Sequence, residues 1–375
     1  MLITIAILSI GLLLLASASM GISDQYFHNP FHFLYRQGIY LIGGLAVGFF
    51  ILQFPLAFWQ KTSGCMLLTS IFLLIVVLIP GVGREVNGSI RWLGFGALTL
   101  QVSEFAKFAV VIYCSSYLVR HGEAVRNSFQ GFANPLILIA LLAVLLLIEP
   151  DFGATVVIVF TVLSMMYLAG ARLWQFSILL LLVISALVVL AIASPYRLLR
   201  LTSFLDPWSK PFDSGYQLTQ SLIAFGRGGI FGVGLGNGIQ KLFYLPEAHT
   251  DFLFAVLAEE LGIIGQFLVI GLFIMLVWRC LYLGRIAERN GNNFASYLAY
   301  GFGLLLGFQV IINIGVNIGV LPTKGLTLPL ISYGGSSMLF NCAIIAILLR
   351  VCHEIKIGST KTSHSYYSSG VKNAP

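Results

Sequence analysis

Charge is what this sequence has least of. Asp, Glu, Lys and Arg make up 9% of its 375 residues, against about 25% in an ordinary soluble domain. So few charges cannot cover a water-soluble globule, which excludes soluble enzymes, disordered chains and nucleic-acid-binding modules. Disulfide and zinc frameworks are missing as well: Cys65, Cys114, Cys280, Cys342 and Cys352 form no C-x-x-C pair and fall in or beside apolar runs. No Lys or Arg precedes Arg36. The run from Met1 to Met20 therefore lacks the positive flank of a signal peptide, despite the cleavage-like Ala16-Ser17-Ala18, and reads as a retained first span. The short alternating segments of a transmembrane β-barrel are absent too.

What is present is apolar: 58% of residues are hydrophobic and the mean hydropathy is +0.94. The runs are continuous and of helical membrane-crossing length. The expected fold is all-α and polytopic, with ten spans at 1–20, 36–54, 64–81, 101–119, 134–148, 152–169, 174–193, 252–283, 294–317 and 334–352. One large loop, 194–251, separates the seventh from the eighth, and the Ser-, Thr-, Lys- and Tyr-rich tail 358–375 is expected to be disordered.

The charges set the orientation. Lys61, Arg120, Arg126, Arg172, Arg279, Arg285, Arg289, Arg350, Lys356, Lys361 and Lys372 flank the spans on one side. Arg36, Arg84, Arg91 and Lys324 occupy the short loops opposite. The positive-inside rule then makes both termini cytoplasmic and places 194–251 outside. Only Glu123, Glu288 and Glu354 among the fourteen acids lie on the inner side.

Ionisable groups within spans are costly and so point to function. Glu104 and Lys107 stand three residues apart on one helical face. They form either a self-neutralising structural pair or one wall of a polar cavity. Glu149-Pro150-Asp151 interrupts two apolar runs, where Pro150 ends a helix and Asp151 can cap the next.

The large loop carries Arg197, Arg200, Asp206, Lys210, and then Gly215 to Phe225, whose Leu218, Leu222 and Phe225 share a face and predict a short surface helix. The glycine-rich run 226–238 does not match the G-x-G-x-x-G spacing of a nucleotide loop and reads as a flexible or tightly turned segment. Glu247, His249, Thr250 and Asp251 close the loop, and Glu259 and Glu260 follow two turns deeper, about 12 Å along the helix. These acids and the histidine are expected to converge at the outer mouth of the eighth span. Thr250 or Asp251 either caps that helix or does chemistry. In the last outer loop, 321–337, two prolines and several glycines break any helix, and broken backbone at membrane depth is tolerated only where it is buried or lines a cavity. Two classes fit these residues, a transporter of polar or amphipathic substrates and a membrane-embedded enzyme acting on a lipid-linked substrate. The one-sided acids and the lack of an obvious repeat favour the enzyme.

Several motifs together resemble the SEDS family (shape, elongation, division and sporulation proteins) over nearly the whole chain. Arg91-Trp92-Leu93 with Gln101 to Lys107 is similar to the family's RW and QPSEFAK block, with Val102 where proline is usual. Glu149-Pro150-Asp151-Phe152-Gly153 is similar to QPDLG, with Glu149 in place of glutamine. Ser214 to Gln217, Gly234-Leu235-Gly236, His249 to Phe252 and Leu321 to Ser337 complete the set. Pro322-Thr323-Lys324-Gly325, the 240–248 run and the 214–221 run resemble the division branch more than the elongation branch. The basic extension common before the first span of division members is not part of this sequence.

The resemblance implies a peptidoglycan glycosyltransferase that polymerises lipid II at the outer face of the bacterial cytoplasmic membrane, in septal wall synthesis. It also implies a class B penicillin-binding protein as partner, together with divisome regulatory proteins and membrane lipid. Asp251 matches the family's essential aspartate and is the expected general base. Arg84, Arg91 and Lys324 are the expected pyrophosphate contacts. Glu104 and Lys107 would shape the substrate cavity, and Glu247 and His249 would position the loop, with Ser332 from the last outer loop. A divalent cation (Mg or Mn) can share such a phosphate site, though no ligand spacing demands one. The rival readings are a lipid II flippase, an elongation-type polymerase and a divisome scaffold.

Overall fold

The computed structural model describes residues 1–86, 89–95, 98–172, 174, 177, 181, 185, 204–213 and 215–370. Among these, three helices open the chain: α1 (Leu2–Phe27), α2 (His32–Gln53) and α3 (Leu56–Val77). Strands β1 (Gly83–Val86), β2 (Ser89–Phe95) and β3 (Leu98–Gln101) follow, then α4 (Val102–Asn127), α5 (Phe129–Ile148) and α6 (Phe152–Leu168). After a 3₁₀ turn at Pro207–Ser209 come α7 (Tyr216–Gly228), α8 (Leu253–Arg289), α9 (Asn293–Asn317) and α10 (Gly335–Gly370).

Among the described residues eight helices are long and apolar enough to cross a membrane, and α6 is a shorter apolar helix of 17 residues, ~25 Å long. The chain is a multi-pass helical membrane protein. The span expected at 174–193 lies almost wholly outside the described residues, as do Arg197, Arg200 and Ser214.

Most helices overrun the apolar runs, because a helix continues until a cap or proline stops it. Pro55 sets the start of α3, the Ser128 hydroxyl accepts from Gly131 N to open α5, and Asn292 Oδ1 accepts from Ala295 N to open α9. At the other end of the chain α10 stays helical to Gly370, past the point where composition predicts a disordered tail. No Pro or Gly interrupts residues 359–369, and extending an existing helix is far easier than nucleating one.

α4 is the central post. Phe108, Ala109, Val110, Val111 and Ile112 are all buried, so it has no lipid stripe and is apolar all round. α2 lies at the rim: Ile39, Ile42, Phe49 and Phe50 are exposed and belong to lipid. Its inner face is held close to α10, where a Cβ on Gly44 would meet Cys342 and one on Gly48 would meet Ala346, a small-residue helix contact.

Two features depart from the expected layout. Strands β1, β2 and β3 form a three-stranded antiparallel sheet of order β1-β2-β3, which pairs Arg84 with Trp92 and Trp92 with Gln101. It is pinned to the start of α10: Gln101 N donates to Ser336 Oγ at 2.8 Å, and that hydroxyl donates to Thr99 O at 3.1 Å. The second feature is a break in α8 at Gly262, with φ 63° and ψ −160°, a backbone state open only to glycine. The break frees backbone groups, and the glycine-rich run takes them up. Val233 N and Gly234 N donate to the carbonyls of Glu259 and Glu260, while Ile263 N and Ile264 N donate to those of Gly229 and Ile230. A Cβ on Gly228 would collide with the Ala258 carbonyl and one on Gly232 with the Glu260 carbonyl. The run is thus a tightly turned segment whose glycines allow backbone-to-backbone approach, which meets the need to satisfy every polar backbone group in a bilayer.

Candidate active site

The site is assembled at the end of the bundle that bears the 204–251 segment. Its frame is a stripe of three amides on α9, Gln309, Asn313 and Asn317, all buried. Spaced four apart, they share one helical face. Asn313 Nδ2 donates to the backbone carbonyl of Asp251 at 2.9 Å and to that of Leu326 at 2.6 Å. Asn317 Nδ2 donates to the same Asp251 carbonyl at 3.0 Å, and Asn317 Oδ1 accepts from Ala255 N at 3.1 Å. Gln309 Nε2 reaches the Thr327 carbonyl at 3.3 Å. One helix face therefore fixes both the Asp251 segment and the last loop.

Asp251 does not cap α8. The cap residue is Phe252, with no side-chain cap bond, and Thr250 Oγ1 donates instead to Glu247 Oε2 at 2.7 Å. The capping alternative is thereby removed. The Asp251 carboxylate lies against the last loop, where a Cβ on Gly325 would stand 3.1 Å from Oδ2. Burial first, with Glu247 and Asp151 adding to it and Arg91 opposing it, raises the Asp251 carboxyl to about 7. A carboxyl poised there suits a general base at neutral pH.

The remaining groups gather around it. Lys324 Nζ sits 4.1 Å from the centroid of the Phe152 ring, and a Cβ on Gly153 would press on Leu326, so the last loop rests on the first turn of α6. Asp151 caps that turn, its Oδ1 accepting from Ala154 N at 3.2 Å. Arg91 of β2 donates to the carbonyls of Glu149 at 3.3 Å and Pro150 at 2.6 Å. Arg84 is exposed and runs across Gly94, where a Cβ would stand 2.6 Å from its Nε. His249 packs between Phe33 and Tyr333, with ring centroids at 4.7 and 5.9 Å. Burial lowers its pKa while Glu247 raises it.

Other expected residues take supporting places. Glu104 and Lys107 are buried and bonded to each other at 2.8 Å, with Lys107 Nζ also 3.3 Å from Gln309 Oε1. The pair therefore backs the amide stripe. Ser332 is buried and its hydroxyl accepts from Leu328 N at 3.0 Å, closing the loop turn. Gln37 brackets the same turn, donating to the Ser332 carbonyl at 3.2 Å and accepting from Gly334 N at 3.3 Å.

Glu259 and Glu260 do not join Asp251. Glu259 accepts from the backbone N–H groups of Ile239 and Gln240 at 3.0 Å each, with Arg227 Nε at 3.4 Å. Glu260 pairs with Lys241 at 2.6 Å and accepts from Ser17 at 2.8 Å. Both are turned toward the glycine-rich run that seals the Gly262 break, so the expected convergence at the mouth is reduced to Glu247, His249 and Asp251. Among the described residues no group of three or more His, Cys, Asp or Glu could hold a metal ion.

The sequence reading overlooked Gln309, Asn313, Asn317 and Gln37. The four-residue spacing of the first three, inside an apolar run, was the available signal.

Residues 1–357 match the model of the cell cycle protein family that groups FtsW, RodA and SpoVE. The chain belongs to this family, the SEDS proteins. It is 57% identical over 351 residues to the probable peptidoglycan glycosyltransferase FtsW of Coxiella burnetii, covering 94% of each chain. It is also 57% identical over 348 residues to the protein of that name from Legionella pneumophila, covering 93% of this chain and 88% of the relative. Among solved structures, this SEDS fold aligns at TM-score 0.78 and 30% identity with a chain of a peptidoglycan synthase complex that coordinates polymerization and crosslinking, covering 94% of this chain and 96% of that one. It aligns at TM-score 0.69 and 28% identity with the rod shape determining protein RodA of Thermus thermophilus, covering 93% and 94%.

Proposed function

We propose that this SEDS chain is a peptidoglycan glycosyltransferase that polymerises lipid II into glycan strands at the outer face of the cytoplasmic membrane during septal wall synthesis. The observation that carries the reading is Asp251: a half-buried carboxylate with its pKa raised to about 7, its backbone clamped by Asn313 and Asn317, facing a loop that brings Lys324. Relatives named as FtsW peptidoglycan glycosyltransferases support it, as does the greater identity to these than to the elongation protein RodA.

In the reaction an acceptor sugar hydroxyl attacks the anomeric carbon of the donor. The hydroxyl proton passes to the Asp251 carboxylate, and the bond from the anomeric carbon to undecaprenyl pyrophosphate breaks, its electron pair leaving with the pyrophosphate. General-base help of this kind is typically worth about 10² to 10⁴ in rate. Lys324, with Arg84 and Arg91, supplies positive charge toward the leaving phosphates. Holding Lys324 against the Phe152 ring and Arg91 on the carbonyls of the 149–150 turn fixes those charges before the substrate arrives. Glu247 and His249 shape the segment that presents Asp251, while Glu104 and Lys107 brace the last loop through Gln309, with Ser332 closing its turn. No step is routed through a divalent cation.

The likeness to a chain of a peptidoglycan synthase complex supports a transpeptidase partner, which we take to be a class B penicillin-binding protein, with divisome regulatory proteins joining at the septum. By the positive-inside rule we take both termini to lie on the cytoplasmic side. The deciding experiment supplies lipid II to the purified chain with its penicillin-binding partner, with and without Asp251→Asn. Polymer from the native chain and none from the variant is expected. Transfer of labelled lipid II across vesicles that is independent of Asp251, without polymer, would instead establish a flippase.

A further inference from the structure

The turn between α5 and α6 carries a second buried carboxylate that the reaction above does not use. Glu149 is 1% exposed. Neither of its side-chain oxygens has a hydrogen-bond partner, and Asp151 Oδ2, two residues on, is also buried and unpartnered. The Arg91 charge bears on it, yet Arg91 donates to the backbone carbonyls of Glu149 and Pro150 and not to the Glu149 carboxylate. A charged carboxylate with no donor and no paired cation is among the costliest groups to bury.

We propose that Glu149 is a positioning residue that works as an uncharged carboxylic acid, and that its ionisation switches the site off. The charged groups around it set the balance. Asp151 on its own turn and Glu247 and Asp251 on the segment before α8 are acidic. Arg91 from β2 and Lys324 from the last loop are basic, and Glu104 and Lys107 on α4 neutralise each other. A further negative charge in this acid-bearing turn opposes arrival of a pyrophosphate. Burial, with Asp151, raises the Glu149 carboxyl to about 8 against the pull of Arg91, so the acid form prevails at neutral pH.

This inference rests on the polymerase reading, and its test separates the two. The rate of polymerisation of lipid II by the full chain with its penicillin-binding partner is followed from pH 6 to 9.5 for the native protein, Glu149→Gln and Glu149→Asp. The native profile is expected to be a narrow bell, rising through about 7 as Asp251 ionises and falling about tenfold per pH unit above about 8. Glu149→Gln keeps the rising limb and loses the falling one; Glu149→Asp retains a falling limb. An unchanged alkaline fall in Glu149→Gln, or its inactivity at every pH, overturns the proposal. The thermal unfolding temperature of the same proteins in detergent reads the proton without activity. Glu149 binds its proton more tightly folded than unfolded, so stability present below about 4.5 is lost as pH rises to about 8. The native protein should therefore lose stability relative to Glu149→Gln across that window and run parallel above it. Parallel curves throughout would overturn the proposal even if the chain polymerised nothing.

Discussion

Asn313 holds Asp251 by its main chain: the Asn313 side-chain amide donates to the Asp251 carbonyl at 2.9 Å, leaving the carboxylate uncommitted to the helix cap. The residue that does the chemistry is thus located through its backbone, and its side chain stays available for a proton.

Replacing Asn313 by Ala should therefore harm both stability and turnover. The carbonyls of Asp251 and Leu326 each lose a buried donor, which costs about 1–3 kcal/mol. Unfolding temperature and polymerisation rate of the purified chain check this; a fall in neither would remove Asn313 from the site.

Asp251→Asn should abolish polymerisation, with a loss of at least about 10²-fold, while inserting and folding normally. Its carboxyl is raised from 3.8 to about 7, so the native protein pays for an ionised buried acid above that pH, and stability present below 3.8 declines as pH rises to about 7. Asp251→Asn is accordingly expected to unfold at a higher temperature than the native chain at pH 8 and at the same temperature near pH 4. Loss of stability at pH 8 would show that the carboxylate is structural.

Gly325→Ala places a methyl group 3.1 Å from Asp251 Oδ2. Polymerisation should fall severalfold while stability shifts by less than about 1 kcal/mol, because the loop is the part able to give way. A large fall in unfolding temperature with activity intact would contradict this reading of the loop.

Lys241→Met leaves Glu260 without its cation in a fully buried place. Breaking such a pair from one side typically costs about 3–5 kcal/mol, whereas replacing both partners by apolar residues is often neutral. Lys241→Met should unfold well below the native chain, and Lys241→Met combined with Glu260→Met should recover much of the difference.

Much of the bundle was legible because a membrane helix announces itself in about twenty apolar residues, and the Asp151 cap and the Glu104–Lys107 pair were legible from spacing alone. The sheet was not, since its strands are shorter than any window suited to spans. Its traces were the Asn87-Gly88 pair, a hairpin signal, and the alternation of Leu98, Thr99, Leu100 and Gln101. Gln309, Asn313 and Asn317 escaped notice because a neutral amide in an apolar run looks like an isolated tolerance; only their common face reveals a purpose. Counting along the helix gave the depth of Glu259 and Glu260 but not their partners, and the backbone N–H groups of Ile239 and Gln240 and the Lys241 ammonium take both carboxylates.

The break at Gly262 also divides α8 mechanically. Residues 253–260 are wholly enclosed by protein, whereas beyond the break Ile263, Ile264, Phe267, Leu268, Ile274 and Trp278 face outward. A bilayer that thins or thickens acts on the lipid-facing rod, which adapts by tilting. The enclosed stub, joined to that rod through one glycine and tied by its own hydrogen bonds to α9, holds Asp251 in a frame that the membrane does not bend.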